Sequence, residues 1–294
     1  MTPSEVRSSA SMDPMQHPMT GMDAFAPGEI AALVETRGVA KANASTVTTL
    51  VLGVVAGAFI GLGAVLSTTI LSGSTPGSGA ARWLAGIGFS LGLILVVVAG
   101  AELFTGNNLL VMALVSRRIS VALLVRNWIL VYVGNLIGAT SIVVMVWLAG
   151  WWNQSDGAVG ATALSIAAAK TSLPFGEVLM RGVLANALVC LAVWLATGGR
   201  TVTDKIVAIV LPISAFVAAG FEHSVANMYF IPVGWLLKRE PEVVASTTAS
   251  VEQLASLDIA GFGNNLAAAT IGNVIGGAVL VGLVYWFVYL RARP

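Results

Sequence analysis

Forty consecutive residues, Ala42 to Ala81, carry no charged side chain. A bilayer crossing needs about 20 predominantly apolar residues, so one such run already places part of the chain in lipid. The pattern recurs. Val47 to Leu71 reads as a first span. Arg82 to Arg117 encloses a longer apolar stretch interrupted only by Glu102. Asn127–Gly150 and Gly182–Gly199 are the third and fourth spans, and Ile206–Leu237 is the fifth, broken by the acid Glu222. Asn264–Leu290 is the sixth. Only 10% of the 294 residues are charged, against about 25% in a soluble domain. The expectation is an all-α membrane protein with a six-span domain over residues 45–290.

Positive charge in short loops sets orientation. With the N-terminus inside, the cytoplasmic side collects Arg7, Arg37, Lys41, Arg117, Arg118, Arg126, Arg200, Lys205, Arg291 and Arg293, leaving five cations outside. Both termini are therefore expected in the cytoplasm. Residues 1–26, rich in Met, Ser and Pro, read as a disordered tail. Residues 27–44 have amphipathic helical spacing behind Pro27 and would lie along the cytoplasmic interface. A formal net charge of +1 gives no electrostatic case for nucleic acid. The single cysteine, Cys190, cannot form an intrachain disulfide.

The two halves resemble each other. Gly53-Val-Val-Ala-Gly-Ala58 matches Gly182-Val-Leu-Ala-Asn-Ala187 in spans one and four. Spans two and five share Gly-x-Glu-x-x-x-x-Asn: Gly100, Glu102 and Asn107 against Gly220, Glu222 and Asn227. Spans three and six share Gly-Asn-x-Ile-Gly, at Gly134–Gly138 and Gly272–Gly276. Three matches in order point to a repeat. Because each repeat holds three spans, the second must insert upside down, giving a 3+3 inverted repeat with a path at the repeat interface. Spans two and five are expected to be broken at their acids, and broken backbone at membrane depth must flank protein or water.

Glu102, Glu222 and His223 are ionisable groups near mid-span, where such residues are costly and usually line a pathway or pair with something. His223 is expected to be functional, since it is the one histidine of the membrane portion. The matched glutamates, with Asn107 and Asn227, are expected to hold the broken segments by hydrogen bonds; two free carboxylates along an anion path would repel its cargo. Thr105 stands in the first break where it could face His223, and could equally bond its own backbone. Asn186 replaces the glycine at its repeat mate Gly57. Lys170 precedes span four, either as an ordinary snorkelling lysine or as part of the path.

At Ala101-Glu-Leu-Phe-Thr-Gly106, Asn186-Ala-Leu-Val-Cys-Leu-Ala-Val-Trp194 and Gly220-Phe-Glu-His-Ser-Val-Ala-Asn-Met228 the chain resembles the formate/nitrite transporter family, over about residues 27 to 290. The resemblance implies pentamers of aquaporin-like six-span protomers, each with its own pore, in a prokaryotic inner membrane. It implies that His223 is a central pore histidine, Thr105 the hydroxyl bonded to it, Asn186 a nearby pore amide and Lys170 a vestibule lysine. Phe89 and Phe216 would be paired aromatic constrictions, with Leu93 an apolar residue beside the first. The implied cargo is a small monovalent anion, formate first, with nitrite, hydrosulfide or short carboxylates as alternatives and no cofactor.

Two rival classes stand apart from this. A metalloenzyme would need a ligand cluster, and no His-Glu-x-x-His or second intramembrane histidine is present. A neutral-solute facilitator shares the architecture, and the histidine together with pH-responsive flux distinguishes the anion pore from it.

Overall fold

The computed structural model describes residues 23–75 and 77–292; most of the expected tail, with Arg7 and His17, and Arg293 lie outside the described residues. Pro27 opens α1 (Pro27–Ala42), whose buried residues Ile30, Ala31, Val34 and Gly38 dock on the end of the bundle. Ser45 caps α2 (Thr46–Leu71) by accepting from Thr48 N at 3.1 Å, meeting one of the amides that every helix start leaves open. Ser78 does the same for α3 (Gly79–Ala99). After α3 the chain is non-helical until a 3-10 turn at Gly106–Leu110, which leads into the short α4 (Val111–Val115). Ser120 caps α5 (Val121–Leu148).

The second half runs in the same order. It comprises α6 (Ala158–Thr171), α7 (Phe175–Gly198), α8 (Val202–Ala219) and, after a gap, α9 (Ser224–Leu237). Two short helices, α10 (Pro241–Ser246) and α11 (Val251–Ser256), fill the following loop. Finally α12 (Ile259–Val274) continues through a π-helical stretch, Ile275–Leu283, into α13 (Val284–Tyr289). Six of these helices are long and apolar enough to cross a membrane, the last counted as Ile259–Tyr289.

The fourth crossing begins at Phe175, about two turns ahead of its charge-free run at Gly182, and carries an i,i+4 ion pair between Glu177 and Arg181 on its exposed face at 3.1 Å. Such a pair keeps two charges compatible with a helix end at an interface. The third and sixth crossings likewise start a turn or so earlier than their apolar runs. Helix α6 has no counterpart in the sequence reading. It is too short to span, and it is buried among α9, α12 and the α10–α11 loop.

Glycines set the closest helix contacts. A Cβ on Gly134 would lie 2.9 Å from Gly53 Cα, and one on Gly57 or Gly138 would run into the facing backbone of α5 or α2. The second half repeats this. A Cβ on Gly272 would lie 3.0 Å from Gly182 Cα, and Gly276 abuts Val183 and Ala187. Backbone approach of this kind is how apolar helices gain packing energy where lipid offers no hydrophobic drive.

Candidate functional site

The two non-helical gaps, residues 100–105 and 220–223, meet in the middle of the bundle. Each opens with a glycine in the left-handed conformation, Gly100 at φ 85° and Gly220 at φ 72°, which ends the preceding helix. Backbone groups released there need partners at a depth where water is scarce. One asparagine supplies them at each gap. Asn135 donates to Gly53 O at 2.8 Å and Glu102 O at 2.9 Å, while its carbonyl oxygen accepts from Phe104 N at 2.9 Å. Asn273 donates to Gly182 O at 2.8 Å and Glu222 O at 2.9 Å and accepts from Ser224 N at 2.8 Å. Both are fully buried.

The glutamates are held by side chains. Lys41 Nζ lies 3.2 Å from the Glu102 carboxylate, and Asn107 donates to it at 2.6 Å and to Asn127 at 2.9 Å. Lys170 Nζ lies 2.9 Å from Glu222, and Asn227 donates to that carboxylate at 2.7 Å and to Asn265 at 2.7 Å. Asn127 and Asn265 in turn donate to Lys41 O and Lys170 O. Each mid-bundle carboxylate thus carries its own ammonium, which removes the repulsion that two bare carboxylates would exert on an anion. Lys41, Asn127, Asn135, Asn265 and Asn273 were not singled out from the sequence as site residues. The signal was available: Lys41 and Lys170 each stand twelve residues ahead of the matched Gly53 and Gly182, and Asn127 and Asn265 seven ahead of Gly134 and Gly272.

His223 joins the gaps. It is the N-cap of α9, and its Nδ1 accepts from Ala226 N at 3.0 Å. A neutral imidazole whose Nδ1 accepts must carry its proton on Nε2. Nε2 sits 2.8 Å from Thr105 Oγ1, so the ring donates and the hydroxyl accepts. The Thr105 carbonyl accepts from Asn186 Nδ2 at 3.2 Å and from the Cys190 thiol at 3.3 Å. Asn186 also donates to Asn108 Oδ1 at 2.9 Å and Asn273 O at 2.6 Å. Its amide is turned toward the backbone of the gap, and neither Asn186 nor Thr105 lines the cavities described next.

Two cavities approach this centre from opposite ends. One, about 340 Å³, is bounded by Arg37, Lys41, Leu93, Gly100, Glu102 and Lys205. The other, about 580 Å³, is bounded on its inner side by Phe89, Phe216, Phe230, Glu222 and His223, with Lys170 above them. Phe89 and Leu93, one helical turn apart on α3, fall on opposite cavities, so the division between the two lies at that turn. Phe89 and Phe216 meet edge to face with centroids 5.6 Å apart, and the Phe216 ring is 6.0 Å from that of His223. All three apolar residues are almost wholly buried. Lys170 lies 5.4 Å over the Phe230 ring. Each cavity wall carries three cations and one carboxylate: Arg37, Lys41 and Lys205 with Glu102, and Arg82, Lys170 and Arg181 with Glu222. Among the described residues no three His, Cys, Asp or Glu side chains are grouped to hold a metal ion.

Such a centre sets an imidazole, bonded through Nε2 to the Thr105 hydroxyl, in the wall of one cavity among apolar side chains, with an excess of positive charge at both approaches. Residues 28–287 match the profile of the formate/nitrite transporter family. The chain is 43% identical over 273 residues to the formate channel FocA of Escherichia coli strain K12, covering 92% of this chain and 96% of that one. A solved pentameric formate channel with formate bound is 38% identical with a TM-score of 0.77, covering 84% of this chain and 98% of that one. A solved ion channel of the same family is 30% identical, with a TM-score of 0.74 and coverage of 88% and 98%.

Proposed function

This chain belongs to the formate/nitrite transporter family, a multi-pass inner-membrane transport protein and not an enzyme, and from that premise we propose that it passes formate through a pore in each protomer of a pentamer. The substrate and the assembly rest on the relatives, which are named as formate channels and, in one solved case, as a pentamer. The pore reading rests on a single geometric observation: His223, bonded to Thr105, stands in the inner wall of one positively lined cavity, and a second such cavity reaches Leu93, one helical turn from Phe89 of the first.

The same reading completes the architecture. The three matched segment pairs, and the matched bonds of Asn135 and Asn273, support a 3+3 inverted repeat in which α3 with the 106–115 segment, and α8 with α9, form interrupted crossings. The ten-to-five division of cations supports cytoplasmic termini. In that orientation α1 lies along the cytoplasmic surface beside the Lys41 cavity, as its amphipathic spacing supports, and Lys170 belongs to the outer cavity.

A formate ion attracted into either cavity meets Phe89, Leu93 and Phe216, which cannot solvate a charge; burying an unpaired ion there is very costly. His223 offers Nε2–H and Thr105 its hydroxyl, so the cargo exchanges hydration for hydrogen bonds at the point of highest cost. Any proton delivered to the cargo by the ring leaves from Nε2, because Nδ1 is committed to the Ala226 amide. Asn186 holds the Thr105 carbonyl and so the position of its hydroxyl. Glu102 and Glu222, neutralised by Lys41 and Lys170 and bound to Asn107 and Asn227, fix the ends of the gaps.

Reconstitution in liposomes tests the reading. Formate and nitrite uptake would be compared with glycerol and water across pH 5 to 8, for the native chain and His223→Ala. Formate flux that excludes glycerol and changes its pH dependence in the variant is the expected result. Nitrite moving while formate does not would transfer the assignment to nitrite, and glycerol passage without anions would overturn both.

A further inference from the structure

The outer cavity contains a feature that the pore reading does not use. Gly220 closes α8, and two guanidinium groups converge on the space where its side chain would be. Arg82 Nη2 lies 2.7 Å, and Arg181 Nη1 4.0 Å, from the position of a Gly220 Cβ. Both arginines line the cavity with Lys170 and are half-buried. Their chemistry is unequal. Arg181 donates to Gly220 O at 3.3 Å and pairs with Glu177 at the rim at 3.1 Å. The Arg82 guanidinium has no hydrogen bond or ion pair with any described residue. The one carboxylate in the cavity, Glu222, is matched by Lys170 at 2.9 Å.

Two guanidinium groups beside one point repel each other. The carbonyl end of α8 offsets part of that repulsion, yet only Arg181 bonds to it. A guanidinium presents a planar fork of donors that fits a carboxylate, and no described residue occupies the fork of Arg82. Glycine at 220 leaves the approach open, since a methyl group there would collide with Arg82 and the left-handed φ of 72° disfavours a side chain in any case.

We propose that Arg82 and Arg181 form a carboxylate-binding subsite at the outer mouth, which captures the anion before it reaches the Phe89–Phe216 constriction. The proposal rests on the pore reading for its purpose and on the arginine geometry for its existence. Formate takes one guanidinium on each oxygen face, and Lys170, tied to Glu222, supplies field without direct contact. The subsite raises the local anion concentration and sets the half-saturating concentration of influx. It does not set the barrier at the constriction.

The test measures formate uptake against concentration in proteoliposomes for the native chain, Arg82→Gln, Arg181→Gln and Arg82→Lys. External malonate serves as a probe: it carries the same carboxylate group, and its double charge bars it from the constriction. In the native chain malonate should inhibit formate uptake and raise the melting temperature of the detergent-solubilised protein. Arg82→Gln should raise the half-saturating concentration about fivefold, leave maximal flux within about twofold and abolish both malonate effects. Arg82→Lys should fall between, since it keeps the charge and loses the fork. If Arg82→Gln does not fold, Arg181→Gln is read in its place, with the same rise expected. Unchanged half-saturation and unchanged malonate inhibition in a variant that still moves formate would overturn the subsite and leave the pore reading intact. A native chain that moves no formate, yet is stabilised by malonate only when Arg82 is present, would retain the subsite and remove the pore reading.

Discussion

The two gaps are built alike and serve differently. Each has a left-handed glycine, a glutamate with its lysine, and a buried asparagine that binds a helix carbonyl and both sides of the gap. On that common frame, Leu103 and His223 occupy matching positions, as do Thr105 and Val225. The first gap contributes the hydroxyl and an apolar wall, and the second contributes the imidazole. What the halves share is the scaffold; the chemistry lies where they differ.

The frames also differ in tension. Lys41 bonds Asn107 Oδ1 at 2.9 Å as well as Glu102, whereas Asn227 Oδ1 is buried without a partner among the described residues. The Lys41–Glu102 pair is more exposed, at 33% and 13%, than Lys170–Glu222, at 16% and 4%. Breaking a buried pair by deleting one member leaves an uncompensated charge and costs about 3–5 kcal/mol, while partly exposed pairs cost far less. Glu222→Ala should therefore lower the melting temperature in detergent much more than Glu102→Ala. Equal losses would show that the two pairs are energetically equivalent despite their burial.

Next in size come the asparagine anchors. Asn135→Ala and Asn273→Ala each remove three hydrogen bonds and strand buried backbone groups, a loss of about 2–4 kcal/mol. Similar losses, read by thermal unfolding, would support a common frame, and a one-sided loss would break the comparison. Thr105→Val tests the chemical difference directly. It removes the acceptor of the His223 N–H with little change of shape and should cost about 1 kcal/mol in stability. Formate flux should fall several-fold, with an altered pH profile, whereas the matched exchange Val225→Thr should leave that profile alone.

The six crossings were legible because runs without charge are long and hydrocarbon tolerates few exceptions. The acids at 102 and 222 marked the gaps for the same reason. Thr105 opposite His223 was expected, and the structure places the two side chains at bonding distance. Asn186 was expected beside the path, and its amide bonds the Thr105 and Asn273 carbonyls and Asn108 Oδ1. Helix α6 was missed because fourteen residues rich in alanine, with Lys170 in the last turn, have neither the length of a span nor a polar face. Its burial comes mainly from neighbours distant in sequence, α9 above all. The roles of Asn135 and Asn273 escaped because Gly-Asn-x-Ile-Gly in an apolar helix reports a repeat, and only folding reveals which carbonyls the amide reaches.

The glycine contacts have a consequence for how this sequence can change. Where Gly57 faces the Asn135 backbone and Gly138 faces Val54 and Ala58, the two helices fit like thread and nut. A methyl group on either side must push the partner away, and with it the gap that the partner anchors. Random substitution should therefore leave these lines nearly invariant in any library selected for flux. The exposed positions Val51, Ile129 and Leu211, each more than half accessible in the single chain, would drift among apolar residues wherever they meet lipid. Variation recorded around each helix would then trace which face meets lipid and which meets its mate.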